Sequence, residues 1–338
     1  MTPVTVVVPT YEREHMIPLA LQSALDQTWD DFVVLVGDNS HGDATEEVVR
    51  SFDDPRILYH RNHDSIGPQK NWLHLVNRAD TPLVVTLHDD DLWTPDYLAT
   101  VVPPMLDDPT IAMTFTDFWL IDQDGGILHD YTESESVRTH RNRLTAGRYD
   151  YDRAEGLRLV AVWNAPQPAY AAVIRRDEIL ATEFPPEVSP LYDIWLSYQL
   201  VKRGAGLRYE PQRLTKYRIH LGAITSAGFA EPEDTVFRRI LDDNADAGPV
   251  TEEILGYWSE LRWARATRLL AAGGGECEAS QQEFLAAAAG LGGSRRLIAA
   301  AAGRSRLAWE TLRLGRALHQ RRHRIDEGRY IDPVPTSV

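Results

Sequence analysis

Leu83-Val84-Val85-Thr86-Leu87-His88-Asp89-Asp90-Asp91-Leu92-Trp93 is an apolar, β-branched run that ends abruptly in three adjacent carboxylates. A segment carrying Val84, Val85 and Leu87 reads as a strand buried on both faces. Three acids in succession, by contrast, repel one another and resist leaving water. A cation at the strand end resolves that conflict. A hard divalent ion, Mg²⁺ or Mn²⁺, shared with a phosphate ligand suits oxygen atoms from one or two carboxylates. The alternative is a solvated acidic loop, and the neighbouring segments bear on the choice.

Residues 5–9 form a short apolar run closed by Pro9, and 15–27 repeats Ile17, Leu21, Ala24 and Leu25 at helical spacing. A second strand over 32–36 ends in the turn-forming cluster Gly37-Asp38-Asn39-Ser40. A helix over 45–52, a third strand over 57–60 and a helix over 68–77 opened by Ile66-Gly67 follow, with 83–87 as the fourth strand. Strands and helices alternating at this spacing predict an α/β, Rossmann-like fold: a mainly parallel central sheet with helices on both faces. Ligands in such sheets sit beyond the carboxyl ends of the strands. Thr10-Tyr11, Asp38 and Asp89 to Asp91 all fall at those ends, which favours a site over a loop.

Further on, 111–117 reads as a strand, 123–126 as a turn, and 131–149 as a polar, irregular loop over the site. Residues 170–174 form another strand, 194–201 a helix ended by Gly204, and 207–209 and 214–219 the last short strands. After Ser226 the pattern changes to helices rich in Ala, Leu, Arg and Glu, broken at Gly273-Gly274-Gly275 and Gly292-Gly293. These features predict a catalytic domain over 1–228 and a helical region over 229–338. No internal repeat is visible.

With 338 residues, 43% of them hydrophobic, the chain can bury a sizeable core. The start, Met1-Thr2-Pro3-Val4, carries no signal-peptide pattern, and a cytoplasmic location is the default expectation. A single cysteine, Cys277, excludes an intramolecular disulfide and a cysteine-based zinc cluster. The net charge of -15 argues against broad nucleic-acid binding.

Taken in order, "VVVPTYERE", "VGDNS", "HDDDLWTPDYL", "YDIWLSYQLVKRG" and "YRIH" resemble a family 2 glycosyltransferase with the GT-A fold. The spore-coat polysaccharide type is similar even in "WNAP" at 163–166. The resemblance covers residues 3–226 and implies transfer of a sugar from a nucleoside diphosphate, UDP or TDP, to a hydroxyl acceptor such as a glycan, a lipid-linked sugar or a natural product. It implies that the loop after the first strand, with Pro9 and Tyr11, holds the nucleotide: Tyr11 stacks on the base and Asp38 accepts from a ring N–H. Alternatively Tyr11 is a surface aromatic and Asp38 closes an Asx-turn. Gly67 to Asn71 matches the part bordering ribose and diphosphate, where Lys70 meets a phosphate or is simply solvated.

The acidic triplet matches the family's Asp-any-Asp metal motif, with His88 at the first position, Asp90 as main Mg²⁺ or Mn²⁺ ligand, and Asp89 and Asp91 as neighbouring ligands or supports. His88 contacts either the metal or the sugar. The resemblance implies inversion, with an acidic base before a glycine-ended helix; Asp193, eleven residues before Gly204, is the candidate. A register anchored on Ile194-Trp195-Leu196 would instead put Leu191 at the base position, and Asp193 could equally be a helix N-cap. His220 matches a position near the metal or diphosphate, or is structural. Arg218 pairs with a phosphate or a surface acid. Trp163, Asn164 and Gln167 border donor or acceptor, or Trp163 is core. The segment 304–324 holds seven arginines against Glu310, with Leu307, Leu312 and Leu314 interleaved. Peripheral membrane contact, a homodimer interface and a solvated helix are its alternatives. A nucleotide-sugar-binding protein without transferase activity is the second functional reading.

Overall fold

The structure is a computed structural model that describes residues 2–166, 171–220, 230–272 and 277–322. The chain divides into two compact units, 1–236 and 237–338. The expected boundary near 228 lies outside the described residues.

The first unit is built on a nine-stranded sheet. Val4–Thr10 (β1), Phe32–Asp38 (β2), Ile57–Arg61 (β3) and Leu83–Thr86 (β4) pair in parallel in the order β3-β2-β1-β4. Between them run the helices Ile17–Leu25 (α1), Ala44–Arg50 (α2) and Pro68–Arg78 (α3). Thr10 stands opposite Asp38, and Asp38 opposite Arg61, so the carboxyl ends of the first three strands lie level. Both faces of the sheet are covered because its strands are apolar on successive residues, as at Val6-Val7-Val8 and Leu83-Val84-Val85. Val4, Val6, Val8, Val34, Val36, Leu83 and Val85 pack with Ile17 and Leu21 of α1, and with Tyr97, Leu98 and Val101 of Tyr97–Asp107 (α4). The other face meets α3 through Trp72, Leu75 and Val76, all buried.

Beyond β4 the topology is mixed. Leu92–Trp93 (β5), Ile111–Ile121 (β6), Gly147–Tyr149 (β7), Ala172–Arg175 (β8) and Gly206–Arg218 (β9) complete the sheet. β8 runs antiparallel to both β4 and β6, β6 pairs with β9 in parallel, and β5 and β7 pair antiparallel with β9. The two short strands expected over 207–209 and 214–219 are one long strand whose register with β6 shifts around Asp117. That irregularity explains the polar gap at Glu210-Pro211-Gln212 in the apolar pattern.

The expected irregular loop over 131–149 is mostly ordered structure. It carries His129–Arg138 (α5), a 3₁₀ turn at Arg141–Arg143 and β7. The helix escapes an apolar-periodicity reading because its inner face is polar: the Thr132 hydroxyl accepts from Leu120 N–H at 3.0 Å, and Ser136 is buried beside Asp117. Arg141 anchors the segment, with its Nε 3.0 Å from Asp117 Oδ1 and its guanidinium 3.8 Å over the Phe118 ring. Arg153–Leu157 (α6), Arg176–Leu180 (α7) and Tyr192–Lys202 (α8) complete the unit up to β9.

Ala230–Asp243 (α9) crosses the boundary at 236, and Pro249–Ala272 (α10), Cys277–Ala287 (α11), Gly293–Arg304 (α12) and Arg306–Arg322 (α13) make the helical unit. Its core gathers Ala266, Leu270, Phe284, Ala287, Leu291, Ala299, Ala302 and Trp309. The glycine break expected at 273–275 lies outside the described residues. Among the described residues no helix is long and apolar enough to cross a membrane.

One glycine fixes how closely α3 sits on the end of β2. A Cβ on Gly37 would lie 2.6 Å from Asn71 Oδ1 and 2.9 Å from Leu75 Cδ2, both in the buried face of the helix. Gly37→Ala is expected to lower stability by about 1–3 kcal/mol, the usual scale of overpacking. A shift of the urea unfolding midpoint at unchanged slope checks it.

Candidate active site

The segment between β4 and β5 turns sharply, with Asp91 N–H donating to His88 C=O at 3.2 Å. Because β5 pairs antiparallel with β9, Leu92 opposite Lys216, the turn is carried to the end of β9. Arg218 meets it there. This side chain is buried and, among the described residues, bonds to no carboxylate side chain: Nε donates to Asp90 C=O at 2.8 Å, and Nη1 to the carbonyls of Asp122 and Gln123 at 3.1 and 2.9 Å. Its backbone N–H donates to Asp91 Oδ1 at 2.9 Å. The expectation that Arg218 pairs with a surface acid is not met among the described residues, where its side chain holds backbone carbonyls instead. Three carbonyls take three of the five guanidinium N–H groups.

His88, Asp90 and Asp91 converge. One ligand atom from each lies within 4.8 Å of the others. His220 Nε2 sits 3.0 Å from Asp90 Oδ2, and His88 Nδ1 is 3.8 Å from Asp91 Oδ2. Asp91 Oδ2 is buried without a hydrogen-bond partner. Burial pushes the Asp91 carboxyl well above its usual range, with the Asp90 charge adding to the effect. Burial and Asp90 likewise raise Asp89 to about 7. For Asp90, burial opposes the charge, yet the His220 hydrogen bond and the nearby basic side chains, Arg13 among them, outweigh it and hold the group low. Burial keeps the His88 imidazole toward its neutral form, against the pull of Asp90. The negative charge therefore settles on Asp90, and a pocket with one ionised and one orphaned carboxylate beside a neutral imidazole is suited to a divalent cation.

The loops after β1 and β2 form the next part of the site. Pro9 pairs with Gly37 at the strand ends. Tyr11 is half exposed and meets His41 edge-on at 5.9 Å. The two loops are clasped by Glu12 N–H donating to Ser40 Oγ at 2.7 Å and His41 N–H donating to Glu12 Oε1 at 2.9 Å. Asp38 is wholly buried. Its Oδ1 accepts from Ser40 N–H and its Oδ2 from the Tyr59 hydroxyl, each at 2.7 Å. The Asx-turn reading of Asp38 thus describes its geometry, with the Tyr59 hydroxyl on the other carboxylate oxygen.

Gly67 caps α3 at φ +83°, a conformation that favours glycine. Its carbonyl accepts from Asn39 Nδ2 at 3.3 Å, and Asn62 links Asn39 to Asn71. Lys70 is exposed on α3, on the helix surface shared with His74 and Arg78. Trp163 is partly buried and stacks on His140 at 4.7 Å, and Asn164 adopts φ +48°. Gln167 lies outside the described residues.

Asp193 occupies the first turn of α8, and Leu191 holds the N-cap position, so the N-cap reading of Asp193 is corrected. Burial raises the Asp193 carboxyl to about 6. Among the described residues no hydrogen bond or ion pair joins Asp193 to the acidic turn. Trp72 relates them instead: its indole N–H donates to Thr86 Oγ at the end of β4 at 2.9 Å, and its ring stacks on Tyr192 at 4.8 Å. Tyr59, Trp72 and the asparagine trio were not identified from sequence. Each is an ordinary core or turn residue by pattern and acquires its role only through long-range contacts.

Residues 5–154 match the family model described as Glycosyl transferase family 2. An uncharacterised glycosyltransferase of Methanocaldococcus jannaschii is 29% identical over 132 residues, 38% of this chain and 46% of that protein. The GalNAc(5)-diNAcBac-PP-undecaprenol beta-1,3-glucosyltransferase of Campylobacter jejuni is 31% identical over 105 residues, 30% of this chain and 34% of that protein. The matched stretch spans less than half the length of these curated relatives. Among solved structures, S. aureus TarS 1–349 in complex with UDP-GlcNAc superposes with TM-score 0.64 at 15% identity, covering 98% of this chain and 95% of that one. At that identity the likeness shows the GT-A fold.

Removing the guanidinium would leave three carbonyls unsatisfied at the acidic turn. Arg218→Met is expected to lower stability by about 3 kcal/mol or more, at roughly 1–3 kcal/mol per orphaned group. Urea unfolding measures the loss. Arg218→Lys should recover only part of it, because one ammonium cannot reproduce the planar fork.

Proposed function

We propose, from the match of residues 5–154 to the glycosyl transferase family 2 model, an inverting, metal-dependent transferase that moves a sugar from UDP or TDP to a hydroxyl acceptor. The observation that carries this reading is the gathering of His88, Asp90 and Asp91 around a buried, unpartnered carboxylate oxygen, with His220 beside them. A glycan or lipid-linked sugar is the acceptor class, and the cytoplasm the working location. The donor set fits a divalent ion of the Mn²⁺ or Mg²⁺ type, held by Asp90 with Asp91 and His88. Such an ion, when bound, neutralises charge on the departing diphosphate.

The remaining roles belong to the chain. Tyr11 offers its exposed ring to the nucleotide base, and the Gly67 turn with Lys70 borders ribose and diphosphate. Asp193 takes the proton of the acceptor hydroxyl as that oxygen forms its bond to the anomeric carbon. The bond from that carbon to the diphosphate oxygen breaks on the opposite face, which inverts the centre. A carboxyl raised to about 6 is mostly ionised at pH 7, yet more basic than an ordinary aspartate. The helical region expected over 229–338 is proposed to serve acceptor access.

Asp90→Ala is expected to weaken UDP or TDP binding in Mn²⁺ by at least about tenfold, the scale of losing one metal ligand or its support. Calorimetry giving equal affinities with and without Mn²⁺ in the parent protein would remove the metal from this reading. Transfer should decline about tenfold per unit below pH 6 as Asp193 protonates. Asp193→Asn should abolish it with donor binding retained.

A stability measurement separates that loss from misfolding. Because the folded pKa of Asp193 lies above the usual 3.8, the native state binds the proton more tightly than the unfolded chain. The group therefore lowers stability as pH rises from about 4 to 6. Asn has no such group. After discounting for partial exposure, Asp193→Asn is expected to be more stable than the parent by about 1 kcal/mol at pH 7.5 and equal to it near pH 4. Thermal unfolding at the two pH values checks the sign.

A further inference from the structure

The helical unit carries a face that its own core does not use. Along α12, Ala299 and Ala302 are buried, while Ser294, Leu297, Ile298, Ala301 and Arg304 are exposed at the spacing of one helical stripe. Leu297 is 73% exposed. The chain breaks the helix at Ser305 and begins α13, whose Trp309 turns inward and donates its indole N–H to Ser280 Oγ at 2.9 Å. Leu307 and Leu314 stay outside, at 78% and 55% exposure. The basic amphipathic segment expected over 304–324 is therefore two helices. Its apolar face starts earlier, at Leu297, and its end at 323–324 lies outside the described residues.

The charge of this stretch opposes that of the protein. Residues 293–322 hold eight arginines and one acid, Glu310, in a chain of net charge -15. Arg295 is committed to Glu260 and Arg313 to Glu310. Arg296, Arg304 and Arg306 are exposed and, among the described residues, have no ion pair. Three free cations thus flank large exposed aliphatic side chains. Isolated exposed leucines are ordinary, but a stripe of them flanked by unpaired arginines matches a surface that is apolar beneath and anionic above.

We propose that the outer face of α12 and the beginning of α13 docks on an anionic lipid bilayer. Leu297, Ile298 and Leu307 enter the interface, and Arg296, Arg304 and Arg306 meet the headgroup phosphates. A second copy of the chain fits this face poorly, because a two-fold contact would set the arginine stripe against itself. A nucleic acid would use the arginines but leave the leucines in water. The inference does not depend on the transferase reading, since neither donor nor acceptor takes part.

Sedimentation of the full chain with vesicles tests it. The protein is expected to sediment with phosphatidylcholine vesicles containing phosphatidylglycerol, to remain in solution with phosphatidylcholine alone, and to be released by salt. Each arginine at an anionic surface contributes roughly fivefold in affinity, so R296E/R304E/R306E should weaken binding by at least about tenfold. L297S/L307S should weaken it by a similar factor even at low salt, since the apolar contacts are not screened. All five positions are exposed, and circular dichroism verifies that both variants keep the parent fold. No sedimentation with anionic vesicles, or equal sedimentation with neutral ones, would overturn the proposal. So would a dimer, measured by light scattering, that L297S/L307S abolishes, which would give the face to a second copy.

Discussion

Three carboxylates in succession cannot all carry charge inside a protein, and the end of β4 is arranged around that constraint. Burial alone would protonate them, and only Asp90 escapes because His220 bonds to it directly. Asp89 and Asp91 are driven the other way by burial and by the charge on Asp90. A charge so placed must be held still, because the gain falls off with distance and a mobile turn would let water back in. Arg218 provides the rigidity. Its described side-chain hydrogen bonds go to backbone carbonyls of the acidic turn and of the turn after β6, while its charge also pulls the Asp91 carboxyl down against burial.

The same logic explains the mixed half of the sheet. A purely parallel sheet would end at β4 with its acids in solvent. Here the chain reverses through the two-residue β5, which pairs with β9 and delivers Arg218 and the following His220 to the turn. The bend of β9 near Asp117 belongs to this arrangement, since β9 pairs along β6 at both ends of the register shift and with β5 only beyond it.

The parallel half of the fold was legible because its signals are local: apolar runs of strand length, glycine- and aspartate-rich ends, and helical spacing between them. β1 to β4 and α3 stand within two residues of their expected bounds. What escaped is held by contacts distant in sequence. α5 hides its polar inner face against β6, and β8 joins two strands antiparallel, which no local pattern announces. The site divides in the same way. The acidic turn was visible as an electrostatic conflict, and His220 through a family motif. The Tyr59 hydroxyl that closes Asp38, and the carbonyl fork of Arg218, depend on partners 21 and 128 residues away.

Asp193 shows how far spacing can go. From sequence, a glycine-anchored and an apolar-anchored register competed, and they differ in whether a leucine or a carboxylate stands at the base position. The fold gives Leu191 the cap and Asp193 the first turn, with Tyr192 between them stacked on Trp72. Because Trp72 also bonds Thr86 at the end of β4, the start of α8 is registered to the same strand that carries the acidic turn. A carboxyl at that place is destabilising, since burial raises it to about 6 and, among the described residues, no ion pair relieves it. A residue chosen for packing alone would be neutral. On the proposed reading that cost serves the chemistry, because a carboxylate with a raised pKa is a better base toward the proton of an attacking alcohol than a solvated aspartate.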